Sequence, residues 1–192
     1  MLNFRDLVQD IASDVRCQYT TKPPTVGVWL WGLMTRPGLL ATTLMRLQAH
    51  LNEGGAVRAA AVTRSVNSAL TGADFIPGSV IGKSLLISHP NGIVVGRGTR
   101  IGDRAVLLQH VTLGELHADG AGPHAYPVLG DDVVIGAGAC VLGGIRLGDG
   151  ARVGANAVLT QDVPDGGLAV GVPARVIPAV VRVDARSGEN VR

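Results

Sequence analysis

Aromatic residues are scarce: Phe, Tyr and Trp together make up 3% of the 192 residues. Hydrophobic residues nevertheless account for 46% of the chain. That is enough for a large core, but one too narrow for rings and filled by Val, Ile, Leu and Ala. Charge is sparse as well, with 17 Lys and Arg against 15 Asp and Glu, a net +2. The positive residues are nearly all Arg and lie scattered, so no basic block suggests a nucleic-acid surface. There are only two cysteines, Cys17 and Cys140, far apart in the sequence. They read as reduced thiols of a cytoplasmic protein rather than as a disulfide. No cationic-plus-apolar leader opens the chain, and its longest apolar stretches are too short to span a bilayer.

Glycine is what the chain has in excess. Of its 27 glycines, 21 lie between Gly72 and Gly171, and they belong to a repeat rather than to a linker. An aliphatic residue, often followed by Gly, returns every six positions. The clearest run is Leu129-Gly130, Ile135-Gly136, Val141, Leu147-Gly148, Val153-Gly154 and Leu159. The same phase holds upstream at Val95-Gly96, Ile101-Gly102, Leu107 and Leu113-Gly114, preceded by a run shifted by two, Ile81-Gly82, Ile87 and Ile93. A period of six is neither that of a helix nor that of an exposed strand. It predicts hexapeptide repeats stacked as a parallel β-helix, each hexad one short strand and a turn, three hexads to a triangular coil. The aliphatic residue points inward, where successive coils stack it into a continuous core.

Two features interrupt the period, and both carry histidine. At Ser88-His89-Pro90-Asn91-Gly92 the phase slips by two, and between Leu113 and Leu129 the interval is 16 residues instead of 6 or 12. The second excess predicts a loop thrown out from the coil at Glu115 to Pro127, the kind of place where a rigid scaffold carries its function. Before the repeats, four helices are expected: residues 1 to about 17, a buried one at Val26 to Met34, one starting near Pro37, and an Ala-rich one from about Ala56 to Leu70. The third carries Leu40, Leu44, Leu47 and Leu51 on one face. The division is therefore a helical segment at 1–72, a β-helix at 73–178 and a polar tail at 179–192. The helices either cap the open end of the solenoid or form a bundle for oligomer contacts.

Four segments in this order, Ile93-Val94-Val95-Gly96, Gln109-His110-Val111-Thr112-Leu113-Gly114, Ile135-Gly136-Ala137-Gly138-Ala139 and Gly171-Val172-Pro173-Ala174-Arg175, resemble the serine acetyltransferase family of hexapeptide acyltransferases. Arg36-Pro37-Gly38 and the Leu-rich helix after it are similar to the family's pre-repeat segment, so the resemblance covers nearly the whole chain. It implies a left-handed β-helix, a homotrimer or dimer of trimers, and transfer of acetyl from acetyl-CoA to a hydroxyl in clefts between solenoids. No metal is implied. The role would be that of cysteine biosynthesis.

A hydroxyl attacking a thioester needs a base within hydrogen-bond reach, usually His, oriented by a third group. The resemblance gives His89 as that base and Asp74, fifteen residues upstream, as the carboxylate that holds its tautomer and stabilises the imidazolium. The plainer reading makes His89 a turn residue beside Pro90. The family's second active-site histidine falls on His124 when counted from Leu113-Gly114, and on Tyr126 when counted back from Ile135-Gly136. Gly114, Ala137, Ala155 and Arg175 are the expected CoA contacts: small residues for the pantetheine arm, Arg175 for a phosphate. For the two alanines repeat geometry is an equal explanation. Ser88 replaces the family's Asp before the base, Pro123 (or Ala125) its Arg before the second His, and Glu115 the second Gly of its Thr-Leu-Gly-Gly. Ser88 and Pro123 remove the charges that grip the ammonium and carboxylate of L-serine. The resemblance implies L-serine or a related small molecule as acceptor, and the lost charges make a sugar or a biosynthetic intermediate the alternative. Two readings of other classes remain: a zinc β-helix enzyme of carbonic anhydrase type using His110, His117 and His124, and a non-catalytic trimeric scaffold.

Overall fold

A hexad can bury an aliphatic side chain only if the next coil lies directly on top of it, and the strand pairings show that stacking. The structure, a computed structural model, describes residues 4–19, 25–116 and 125–179, with the backbone of 182–183 and 190–191. Its repeats form three parallel faces. The first face stacks β1 (Asp74–Phe75), β4 (Val94–Val95), β7 (Thr112–Gly114), β10 (Cys140–Leu142) and β13 (Val158–Leu159). The second stacks β2 (Val80–Ile81), β5 (Arg100–Ile101), β8 (Val128–Leu129) and β11 (Arg146–Leu147). The third stacks β3 (Leu86–Ile87), β6 (Val106–Leu107), β9 (Val134–Ile135), β12 (Arg152–Val153) and β14 (Leu168–Val170), and closes with antiparallel β15 (Arg175–Ile177).

Register locates both interruptions. Asp74 pairs with Val94, Val94 with Thr112, Thr112 with Cys140 and Cys140 with Val158. The first coil thus has two extra residues, between β3 and β4, and the third coil ten, between β7 and β8. Neither insertion disturbs the pairing that follows it.

The hexad residues Val95, Leu107, Leu113, Ile135, Val141, Leu147 and Leu159 are fully buried. So is a second inward row, two residues earlier in each strand: Ile93, Ala105, Val111, Val133, Ala139, Ala151 and Ala157. Between these rows the side chains point outward, the ordinary alternation of a strand.

Along the edge between the second and third faces runs a ladder of aspartates. The amide of Lys83 donates to Asp103 Oδ1, that of Asp103 to Asp131 Oδ1, that of Asp131 to Asp149 Oδ1, and that of Asp149 to Asp165 Oδ1, at 2.7–3.1 Å. Each carboxylate satisfies a donor that the turn leaves unpaired.

The N-terminal region is helical: α1 (Phe4–Gln18), α2 (Val26–Thr35), α3 (Pro37–Glu53) and α4 (Val57–Thr71). α3 opens with Pro37 in its first turn, and α4 ends on Gly72 in the left-handed conformation. A buried ion pair fastens α1 and α3 to the first coil. Arg46 donates to both oxygens of Asp14, at 2.8 and 3.0 Å, and to the carbonyls of Ile81 and Gly82. Asp14 also accepts from the Leu85 amide at 2.9 Å.

One helical expectation fails. α2 is not buried: Trp31 and Met34 are 68% and 84% exposed, and only Gly32 is covered. On α3 the stripe Leu40, Leu44, Leu47 and Leu51 is half-buried to exposed. The buried side of α3 carries Gly38, Leu39, Ala41, Met45 and Gln48, because the helix lies directly on β3. A Cβ at Gly38 would collide with the Ile87 carbonyl. Leucines cannot approach a backbone that closely, so they flank the contact.

Candidate active site

The edge between the third and first faces collects most of the candidate residues. Every coil turns there through a left-handed residue: Gly92, His110, Gly138 and Asn156, with φ between 57° and 71°. The turns are stitched in series. Gly92 N–H donates to Gly72 O at 3.0 Å, His110 N–H to Asn91 O at 2.9 Å, Gly138 N–H to Gln109 O at 2.8 Å and Asn156 N–H to Ala137 O at 2.8 Å.

His89 stands in the two-residue expansion of this edge, exposed, beside exposed Ser88 and above buried Pro90. The Pro90 carbonyl accepts from the Ile93 amide at 3.1 Å, which closes the turn beneath the imidazole. Asp74 opens β1, at the start of the coil that this expansion closes. Phe75 points into the core and Asp74 outward. The Gly92-to-Gly72 hydrogen bond brings the His89 turn alongside the chain entering Asp74.

The Asp74 carboxylate has a partner that the sequence did not reveal. Arg64, on α4, donates Nε–H to Oδ1 at 2.5 Å and Nη2–H to Oδ2 at 2.7 Å. These bonds raise the Arg64 guanidinium further above its ordinary range. Among the described residues, none hydrogen-bonds to the His89 imidazole. Ten positions separate Arg64 from Asp74, across a helix end. No periodicity links them, so only the seating of α4 could disclose the pair.

Ala137 and Ala155 lie one above the other on this edge, and Arg175 is exposed where the chain re-emerges from the Gly171–Ala174 turn, paired with Val170. Gly114 sits apart, at the far end of β7. A Cβ there would meet only ordinary contacts at 3.8 Å. Packing among the described residues therefore does not demand this glycine.

Tyr126 closes the foot of the ten-residue insertion. Its ring covers Gly96 and Gly98, where any Cβ would strike it, and the Glu115 carboxylate lies near its hydroxyl. Burial and that carboxylate together push the phenol above its usual range. His117, Pro123 and His124 lie outside the described residues. His110 is spent on the left-handed turn, its ring against Gly92. Among the described residues no group of three or more His, Cys, Asp or Glu is placed to hold a metal, and no helix is long and apolar enough to cross a membrane.

Comparison with known proteins agrees with this architecture. Residues 126–161 match the family model described as bacterial transferase hexapeptide (six repeats). The chain is 42% identical over 141 residues to a serine acetyltransferase of Mycobacterium tuberculosis, covering 73% of this chain and 61% of that protein. It is 40% identical over 148 residues to one of Helicobacter pylori, covering 76% and 84%. Among solved structures, soybean serine acetyltransferase complexed with serine superposes with a TM-score of 0.80 at 35% identity, covering 90% of this chain and 70% of that one. A serine acetyltransferase in complex with CoA gives 0.76 at 31%, covering 90% and 70%. The coil shared with these structures is the left-handed parallel β-helix.

Proposed function

The chain belongs to the serine acetyltransferase family, and from that premise we propose that it transfers acetyl from acetyl-CoA to the hydroxyl of L-serine. The observation that carries this reading is the expanded turn bearing His89, fastened by hydrogen bond to the coil that bears Asp74. In the proposed reaction His89 takes the proton of the acceptor hydroxyl as its oxygen attacks the thioester carbonyl. The C–S bond then breaks, and the imidazolium returns the proton to the departing CoA sulfur. Asp74 holds the imidazole tautomer and stabilises its cation. His124 is the second active-site residue. Tyr126 is the weaker candidate for that place, since its ring is packed over Gly96 and Gly98, and it borders the acceptor. Open Gly114 and the stacked Ala137 and Ala155 leave room for the pantetheine arm along the coil, and exposed Arg175 would meet a CoA phosphate. Ser88 borders the acceptor.

The assembly in this reading is a homotrimer or a dimer of trimers, with clefts between solenoids, in the cytoplasm. Residues 1–72 form the helical cap, 73–178 the catalytic β-helix and 179–192 a tail.

The decisive assay is thiol release from acetyl-CoA by the purified protein, with L-serine beside a panel of sugars and amino alcohols. Fast release with L-serine, and a fall in kcat of at least about a hundredfold in His89→Ala, is the expected result. Near-normal turnover in that variant would remove His89 from the chemistry. Silence with L-serine but turnover on another acceptor would reassign the substrate, with exposed Ser88 in place of a carboxylate as the cause.

A further inference from the structure

We propose that Arg64 of the helical cap is a positioning residue of the acetyl-transfer site, fixing the plane of the Asp74 carboxylate that orients His89 in the proposed reaction. The inference rests on the Asp74–His89 reading above. It begins from the two-point geometry: Nε and Nη2 each take a separate carboxylate oxygen, which sets the plane of the carboxylate as a single contact would not. A carboxylate has about four lone-pair sites. Two are used by Arg64, so both oxygens keep acceptor capacity for an imidazole N–H.

Arg64 is itself held in place by a chain of contacts. Asn67, one turn further along α4, donates to the Ala41 carbonyl of α3 at 3.0 Å, and the Thr71 hydroxyl donates to Asn67 O at 2.8 Å and accepts from the Ala73 amide at 3.2 Å. α3 in turn rests on β3 through Gly38. The cap therefore reaches Asp74 both along the chain, through Gly72 and Ala73, and across space, through Arg64.

Two effects oppose each other. A nearby cation disfavours the imidazolium formed during attack, whereas a fixed carboxylate keeps the imidazole in its productive tautomer. Asp74 and Arg64 are 29% and 36% exposed, so solvent screens the first effect. Orientation is not screened, and it decides the sign: losing Arg64 slows turnover.

The test is a double-mutant cycle on the full chain, measuring kcat and KM for Arg64→Gln, Arg64→Lys, Asp74→Asn, the Arg64→Gln/Asp74→Asn pair and His89→Ala, with thermal melts as a folding control. Arg64→Gln should lower kcat about 5- to 20-fold with KM for acetyl-CoA within about twofold. Arg64→Lys should recover part of that loss, and the pair should be no slower than Asp74→Asn alone. Wild-type kcat in Arg64→Gln, or a loss that persists in full on the Asp74→Asn background, would overturn the role of Arg64. If Asp74→Asn and His89→Ala both turn over normally, the dyad reading and the Arg64 role fall together. If those two are impaired and Arg64→Gln is not, only the Arg64 role falls. Should Arg64→Gln fail to fold, Arg64→Lys keeps the charge without the two-point geometry and is read the same way against both backgrounds.

Discussion

Among single residues, Arg46 shows most sharply how a buried charge ties helices to coils. Arg46 and Asp14 are 6% and 1% exposed, so each depends on the other for solvation that water no longer supplies. Replacing Arg46 with Ala strands the carboxylate and should cost about 3–5 kcal/mol in urea unfolding. Burial pushes the Asp14 carboxyl above its ordinary range against the pull of Arg46. A raised carboxyl binds its proton more tightly in the folded state, so stability is lost as pH rises through that folded value. Arg46→Ala removes the opposing cation, so its deficit should be larger at about pH 8 than at about pH 5. A deficit independent of pH would mean that the cost lies in lost carbonyl contacts instead. None of this was legible beforehand, because Asp14 and Arg46 lie 32 residues apart on separate helices. His89 and Asp74 were legible only through the family resemblance, and the partner of Asp74 not at all. A side-chain pair between a helix and a strand leaves no trace in spacing.

At the scale of elements the repeat was plain in the sequence, because six-residue spacing is imposed on every coil by the same geometry. Apart from Ile93, the second buried row was overlooked for the opposite reason: its Ala residues carry little hydrophobic signal although they are wholly enclosed. The aspartate ladder had a signal, Gly102-Asp103, Gly130-Asp131 and Gly148-Asp149 in one phase, which becomes readable once Asp is counted with Gly. Each rung is a charged acceptor at a partly exposed turn. Asp131→Ala should therefore cost about 1 kcal/mol, below the usual value for a charge-assisted bond because solvent screens it. Chemical denaturation would register the change, and an unaltered midpoint would show that water replaces the carboxylate. The helices were found, but α2 was misjudged as buried. Hydrophobicity marks leucines as inward, whereas an approach as close as that of Gly38 to Ile87 selects for the absence of a side chain.

For the whole molecule the expectation is association. The cleft chemistry proposed here needs a neighbouring solenoid, so light scattering on eluting protein should give a mass of about three or six times the 19.8 kDa protomer. A 19.8 kDa species with full activity would confine the site to a single chain. The coil also separates two kinds of inheritance. Thr112 pairs with Cys140 across 28 residues in the same register in which Val94 pairs with Thr112 across 18, so strand pairing absorbs ten added residues at that corner. A lineage can lengthen, shorten or exchange the segment between Glu115 and Tyr126 while every rung of the core stays in step. Substrate choice can then drift on a timescale of its own, and two members of the family with superposable cores need not share an acceptor.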